Sequence, residues 1–536
     1  MKIYISILLL SITIFSCKSP DIVSPTTSIP TTPTTTVTPP IIKSVTTNTV
    51  NIKLNSVVLN GEVSDEGGSP VTDRGFYWSE TNTIPTDKDN KVQVGSGKGT
   101  YSYTLEGLKI NTKYYYKSYS TNSKGTSTSD VQTVKTKTFE FKVVSDFTFG
   151  SVGIDYINYI QKSSDGNYIF TDGDIEGGGA PGNSPMGVVK IDKSGNQIFR
   201  NEFNPKPQLI FKPILYQFIQ NSNGFYLNGS NSDGPFLRLI ENNNVVWEKK
   251  NSFTGNCLVK GNDGGIIQSG NLRTNGYTDI FVGKFDDNGK EIWSKTFGGD
   301  IQDINRKLIV LKDGYLICGN TYSGNSGNKT TTNKGNSDIW VIKIDNNGNK
   351  VWEKDFGGNN SEFLKSVLIE DDGSIIIVGN SFSGISGDKS QPTLGYWILK
   401  LNSNGEKIWD KSYGDLRGGF NSKGIIKTPN NDYIIFGESD YSMKSGDKTE
   451  DSYGIDFNDI WLVCIDKNGL KLWDKIIGGK YEDKVVDIFY DNQSKIYQLI
   501  GLSSSPISFD KKTSEISTGK IRDDYWIVNF SYEIKD

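Results

Sequence analysis

Residues 338–359 read DIWVIKIDNNGNKVWEKDFGGN, and this stretch decides the fold. It reads as strand, turn, strand. Asn347-Gly348 supplies the positive φ angles of a tight hairpin, and the apolar residues on either side supply buried strand faces. The same sentence recurs as DIFVGKFDDNGKEIWSKTFGGD (279–300) and DIWLVCIDKNGLKLWDKIIGGK (459–480), and more loosely as YWILKLNSNGEKIWDKSYGD (396–415). From Phe139 to the C terminus the pattern returns at a period of roughly 46–65 residues, a scale that signals a propeller or solenoid.

Two turn motifs predict the number of repeats. Asp-x-x-Gly-x-x-x-Trp and its variants end at Phe199, Trp247, Trp293, Trp352, Trp409 and Trp473, which makes six. A turn followed by an apolar strand ending in Gly occurs as SSDGNYIFTDG, SNGFYLNG, NDGGIIQSG, KDGYLICG, DDGSIIIVG, NNDYIIFG and NQSKIYQLIG, which makes seven. The mismatch resolves if Asp524–Val528, which has no following partner, pairs with Phe141–Val144, which has no preceding one. That pairing completes a seventh repeat and removes two strand edges. The expected fold is all-β, with a seven-bladed β-propeller over 139–536.

Asp-x-x-Gly-x-x-x-Trp resembles the tryptophan-docking motif of quinoprotein-type propellers, in which the Trp lies on the outer strand and locks neighbouring blades. The region as a whole resembles surface and secreted propeller-repeat proteins of Bacteroidetes-type bacteria, with their Asp-x-Trp, Gly-Gly and Ser-Gly-Asn/Asp loops. The resemblance implies fold and says little about activity. The Trp series reads as inter-blade packing; a ring of sugar-stacking platforms is the functional alternative.

Upstream, residues 44–138 carry short alternating strands (SVVLNGEV, RGFYWSE, KVQVG, YSYTLEGL, KYYYKSYST, DVQTVKT) separated by turn signals, the pattern of a β-sandwich. Leu108, Thr112, Tyr114, Asn122 and Gly125 match the tyrosine corner and following turn of fibronectin type III domains. Ile110 stands where that family has Pro, and Trp78 lies one strand later than the family's core Trp. This resemblance implies an immunoglobulin-like β-sandwich acting as a spacer. Residues 18–43 form a Pro/Thr/Ser tract too polar to offset ordering entropy, and its prolines favour an extended linker.

Residues 1–17, MKIYISILLLSITIFSC, have a basic start and an apolar run too short to span a bilayer, which needs ~20 residues. The segment resembles a bacterial lipoprotein signal ending at Cys17, which implies lipid attachment at Cys17 and a membrane partner through that lipid. An ordinary secretory signal is the alternative. By resemblance to proteobacterial sorting rules, Lys18 rather than Asp speaks against retention at the inner membrane, which implies the outer membrane of the cell envelope as the expected location.

The chain of 536 residues has no histidine and a net charge of -4. This removes the commonest general base and metal ligand, and no basic stripe suggests nucleic acid. Cys257, Cys318 and Cys464 lie in apolar runs and read as small core residues.

Long loops are expected on one face, and tight Gly turns with little room on the other. Acids recur four residues after the second Gly of each Gly-Gly step, at Asp303, Glu362 and Asp483. They read either as a cation or sugar-hydroxyl site at the channel mouth or as acceptors for their own loop's N–H groups. A ligand held there would be a cation, a basic patch or a sugar rather than a phosphate. Asp388 and Asp447 lie in oxygen-rich Gly-Asp-Lys loops that suit Ca²⁺ or are solvated surface. No catalytic residue and no other cofactor is assigned. The reading is a non-enzymatic envelope module that binds a glycan or protein. The alternatives are a carbohydrate-active lyase or glycosidase using Asp, Glu and Tyr, and a periplasmic scaffold.

Overall fold

The computed structural model describes residues 37–45, 52–150, 157–163, 165–172, 187–202, 214–231, 233–242, 244–274, 276–440, 443–454, 456–514 and 523–535. Cys17 and most of the linker lie outside them. Two compact units emerge: one built on the described residues before Thr47 with Leu59–Tyr103 and Tyr114–Thr133, the other on Asn48–Val58, Thr104–Lys113 and Val134 onwards.

The N-terminal region forms two antiparallel sheets. Ile41–Val45, Val57–Asp65 and Gly99–Leu105 make one; Asn90–Gly95, Asp73–Ser79, Lys113–Asn122 and Gly125–Thr128, with Gln132–Lys135, make the other. Alternate residues of Val57–Asp65 are buried, so one face of that strand meets the core. Phe76 from the second sheet meets Tyr101 from the first, with ring centroids 5.2 Å apart. Tyr114 is buried and stands edge-on to Trp78 at 5.8 Å. The Asn122 amide donates to the carbonyls of Thr38 (2.6 Å) and Glu66 (2.8 Å), while its oxygen accepts from Lys124 N–H.

The second unit contains seven four-stranded antiparallel sheets, an arrangement consistent with propeller blades. Their first strands are Ile157–Lys162, Ile214–Gln220, Thr254–Lys260, Asp303–Leu311, Glu362–Ile369, Phe420–Lys427 and Asp483–Asp491; the sheets are numbered I to VII in that order. Sheets I to VI run in simple sequence order. Sheet VII takes its fourth strand from far upstream: Thr138–Phe149 pairs antiparallel with Asp524–Lys535, Tyr525 opposite Phe149. The first strand of each sheet lies beside the first strand of the next, and that of sheet VII lies beside that of sheet I. The seven sheets therefore close in a ring.

Seven apolar clusters fill the seven gaps, each drawing on two consecutive sheets; the last joins Ile500 and Ile527 of sheet VII to Phe170 and Val189 of sheet I. Second and third strands are buried on both faces, so Leu316 faces one gap and Ile317 the other. This is why YLICG and DIWVI read as continuous apolar runs rather than alternating ones. Cys257, Cys318 and Cys464 are buried free thiols in these gaps.

Outer-strand aromatics join each sheet to the next. A carbon added to Gly289, Gly348, Gly405 or Gly469 would lie 2.8–3.1 Å from the nearest ring atom of Trp247, Trp293, Trp352 or Trp409. Each of these glycines also has φ between +76° and +80°, so the hairpin turn needs Gly twice over. The Trp247 and Trp293 indole N–H groups donate to carbonyls of the next sheet's turn, at Asp287 and Asn346. Sheet VII has no outer hairpin, and there Trp473 stacks on Phe139 at 5.4 Å and meets Phe141 and Tyr532 edge-on.

Every inner strand carries a bulge at the same step, between residues 157/159, 215/217, 255/257, 305/307, 364/366, 422/424 and 485/487. Nothing in the local sequence signals it.

Candidate functional site

The loops that follow the second strands of sheets IV to VII share one construction. Ser326-Gly327-Asn328-Lys329, Ser386-Gly387-Asp388-Lys389, Ser445-Gly446-Asp447-Lys448 and Ser508-Phe509-Asp510-Lys511 are four copies of a turn. In each, the third residue's N–H donates to the first glycine of the preceding Gly-Gly step or its equivalent: Gly298, Gly357, Gly414 and Gly478. In the first three copies the side chain of that residue also accepts the same glycine's N–H. Asp388 and Asp447 are therefore braces between two loops. A Ca²⁺ ion on them would compete with these backbone donors. Among the described residues no group of three or more Asp, Glu, Cys or His side chains is placed to hold a metal ion.

The lysine of each copy is buried. Lys329 donates to Asp355 (2.5 Å) and to Thr331 O. Lys389, 2 % exposed, donates to the carbonyls of Gln391 and Thr393 and to Ser412 Oγ; burial pushes its pKa down to about 8. Above the lysines stands a second Trp series, on the third strands. Trp340, Trp397, Trp461 and Trp526 are fully buried, and each donates its indole N–H to an outer-strand acid: Glu353, Asp410, Asp474 and Asp146. Those acids also accept loop N–H groups at Thr330, Ser390, Thr449 and Thr513.

Asp303, Glu362 and Asp483 are fully buried. Each accepts the N–H of the second glycine of its loop, at 2.7, 2.8 and 2.7 Å, and each accepts a serine hydroxyl, from Ser323, Ser383 or Ser505. They hold the Gly-Gly loop to the frame and present no carboxylate to a ligand at the surface.

Each also has an acidic neighbour that the sequence reading did not single out: Asp279 for Asp303, Asp338 for Glu362, and Asp459 for Asp483. The first glycine of the step is wedged between the members of a pair. A carbon on Gly357 would lie 2.2 Å from Asp338 Oδ1 and 2.9 Å from Glu362 Oε2; on Gly478, 2.2 Å from Asp459 Oδ1 and 3.1 Å from Asp483 Oδ2. One oxygen of Asp279, Asp303, Asp338, Asp459 and Asp483 has no hydrogen-bond partner. Burial pushes Asp483 up to about 7. Burial and then repulsion from Asp483 push Asp459 to about 7, and burial pushes Asp338 to about 6. At Asp459 and Asp483, where both members are raised, two carboxylates in a desolvated gap favour keeping a proton. At the gap between sheets V and VI both members change together: Gly395 takes the third-strand position and Phe420 the first-strand one, so close that a carbon on Gly395 would lie 3.0 Å from Phe420 Cβ. The acids are kept as pairs or lost as pairs.

Among the described residues, two clefts bear on the loop and turn sides. One of about 410 Å³ lies on the loop side, lined by Thr393, Asp415, Leu416, Arg417 and Ser445; Asp415 there binds the Arg417 guanidinium and Ser445 Oγ. The other, about 550 Å³, lies among the Asp-Gly turns of sheets IV and V, beside Asp313, Lys343, Glu370 and Asp372. The turn side, expected to offer little room, thus holds the larger of these two clefts.

No family model matches the chain, and no curated protein matches it. Among solved structures, the chain is similar to hydrazine synthase of Kuenenia stuttgartiensis (13 % identity over 56 % of this chain and 78 % of that one, TM-score 0.36). It is also similar to a protein of Bacteroides fragilis described as exported (9 %, 74 % and 96 %, TM-score 0.32). A third likeness is to a family-43 β-xylosidase/α-arabinofuranosidase from a compost metagenome (11 %, 61 % and 92 %, TM-score 0.26). At TM-scores this low the likenesses carry no weight for function.

Proposed function

We propose that this chain is a bacterial envelope lipoprotein. It is anchored through Cys17 and carries a seven-bladed β-propeller, behind a fibronectin type III-like spacer, as a non-enzymatic binding or scaffolding module. One observation carries the reading. The loops of sheets IV to VII are pinned to a closed ring by buried lysines and carboxylates, a construction suited to a preformed docking face. The glycosidase alternative asks for two carboxylates facing a substrate; Asp303, Asp338, Glu362, Asp459 and Asp483 are buried and accept loop N–H groups, and Asp279 is half-buried. An outer-membrane location follows from the signal segment and Lys18, and a glycan or envelope protein is the partner class we favour.

Two measurements test this. Cys17→Ser should move the protein from the membrane fraction to the soluble one, and wild type should incorporate labelled fatty acid; an unlabelled wild type overturns the anchor. The mature chain, screened on glycan arrays and against solubilised envelope, should show saturable binding without turnover. Release of new reducing ends or unsaturated uronates would overturn the non-enzymatic reading.

A further inference from the structure

A bulge re-aims the residue it leaves unpaired. On sheets IV, V and VI that residue is Arg306, Lys365 and Lys423. On sheets II, III and VII it is Tyr216, Asn256 and Val486. The inner strands of sheets IV, V and VI are neighbours around the ring, so three cations stand side by side on one arc of the innermost surface, and the bulge residues described on sheets II, III and VII are uncharged.

The charges on this arc are incompletely matched. Lys423 lies 3.2 Å from Glu438 Oε1. Lys307, next to Arg306, lies within electrostatic reach of Asp487. The side chains of Arg306 and Lys365 have no hydrogen bond or ion pair among the described residues. Arg306 is exposed and Lys365 half-buried, so both remain open to a ligand. Burial, then repulsion from Lys423 and Arg306, lowers the Lys365 pKa, with Glu438 opposing. Two cations are left over where like charges crowd.

We infer that the axial opening of the ring takes an oxyanion group, a carboxylate or phosphate, between Arg306 and Lys365. Arg306 supplies the planar fork that matches such a group, and Lys365 a point charge. Arg306, Lys365 and Lys423 each lie three residues from the start of their inner strands, so the site is at the end of the channel nearer the Gly-Gly loops. This reverses the ligand polarity expected from the loop acids, which are buried. It also goes beyond the envelope reading, since an unanchored form carries the same site.

The test is calorimetric titration of the mature full chain with inorganic phosphate and, separately, with a digalacturonate. Saturable one-to-one binding of at least one probe is expected, at about millimolar Kd. Lys365→Met should weaken it at least about tenfold, and Lys98→Met, which removes an exposed charge in the N-terminal region, should leave it unchanged. Lys365→Arg keeps the charge and should keep binding. Without anion, Lys365→Met should melt no lower than wild type, because repulsion is relieved. Tighter binding of the digalacturonate assigns the site to an acidic sugar, and tighter binding of phosphate to a free anion. The inference is overturned if neither probe binds saturably, if Lys365→Met binds as wild type does, or if folded Lys365→Arg fails to bind.

Discussion

Asp483→Asn is expected to stabilise the ring at pH 8 and to flatten its dependence on pH. Asp483 is fully buried beside Asp459, and both are pushed up to about 7. In the unfolded chain an Asp titrates near 3.9. Between about pH 4 and pH 7 the folded state therefore holds a proton that the unfolded state has released, and stability falls as pH rises through that window. Each unit is worth ~1.4 kcal/mol per retained proton. One proton shared by the pair over about three units gives a loss on the order of 4 kcal/mol. Asparagine has the same shape and no charge. Its oxygen can still accept from Gly479 N–H and Ser505 Oγ, and its amide takes the place of the Asp483 oxygen that has no partner. The gain at pH 8 should be a few kcal/mol, with little change at pH 4.5. The assay is urea unfolding followed by tryptophan fluorescence at half-unit steps from pH 4.5 to 8.5, comparing midpoints. A variant that is less stable than wild type at pH 8, or that keeps the wild-type slope, refutes proton sharing.

Two further outcomes follow from the same frame. Deleting residues 524–536 removes the partner of Thr138–Phe149 and the buried Trp526; the whole ring should melt far earlier, and a differential scan matching wild type would refute closure. Lys389→Met leaves the carbonyls of Gln391 and Thr393 and Ser412 Oγ without their donor, so chemical denaturation should show a loss on the order of 3 kcal/mol; a loss below about 0.5 kcal/mol would mean the lysine contributes no more than a surface charge.

Much of this was legible in the chain itself. Asn347-Gly348 and its copies specify hairpins because the turn needs positive φ, a local demand. The unpaired apolar segments at Phe141–Val144 and Asp524–Val528 implied their own pairing, because a buried strand cannot be left with a bare edge. Asp303, Glu362 and Asp483 were visible as a repeat, and so were Asp388 and Asp447, but whether they faced a ligand or their own backbone was not. That choice depends on what lies across a gap between sheets, tens of residues away in sequence. The Asp279, Asp338 and Asp459 partners were equally visible as Asp-Ile-Trp or Asp-Ile-Phe and were hidden only because nothing local says which acids meet. The bulges are the extreme case. A single extra residue reverses the alternation of a strand, so whether Lys365 meets a neighbouring sheet or the axis is decided by register against Ile375–Ser381. Local backbone chemistry determined the repeat; only closure of the ring decided which charges were compensated, because compensation is a property of pairs and the chain alone does not state its pairs.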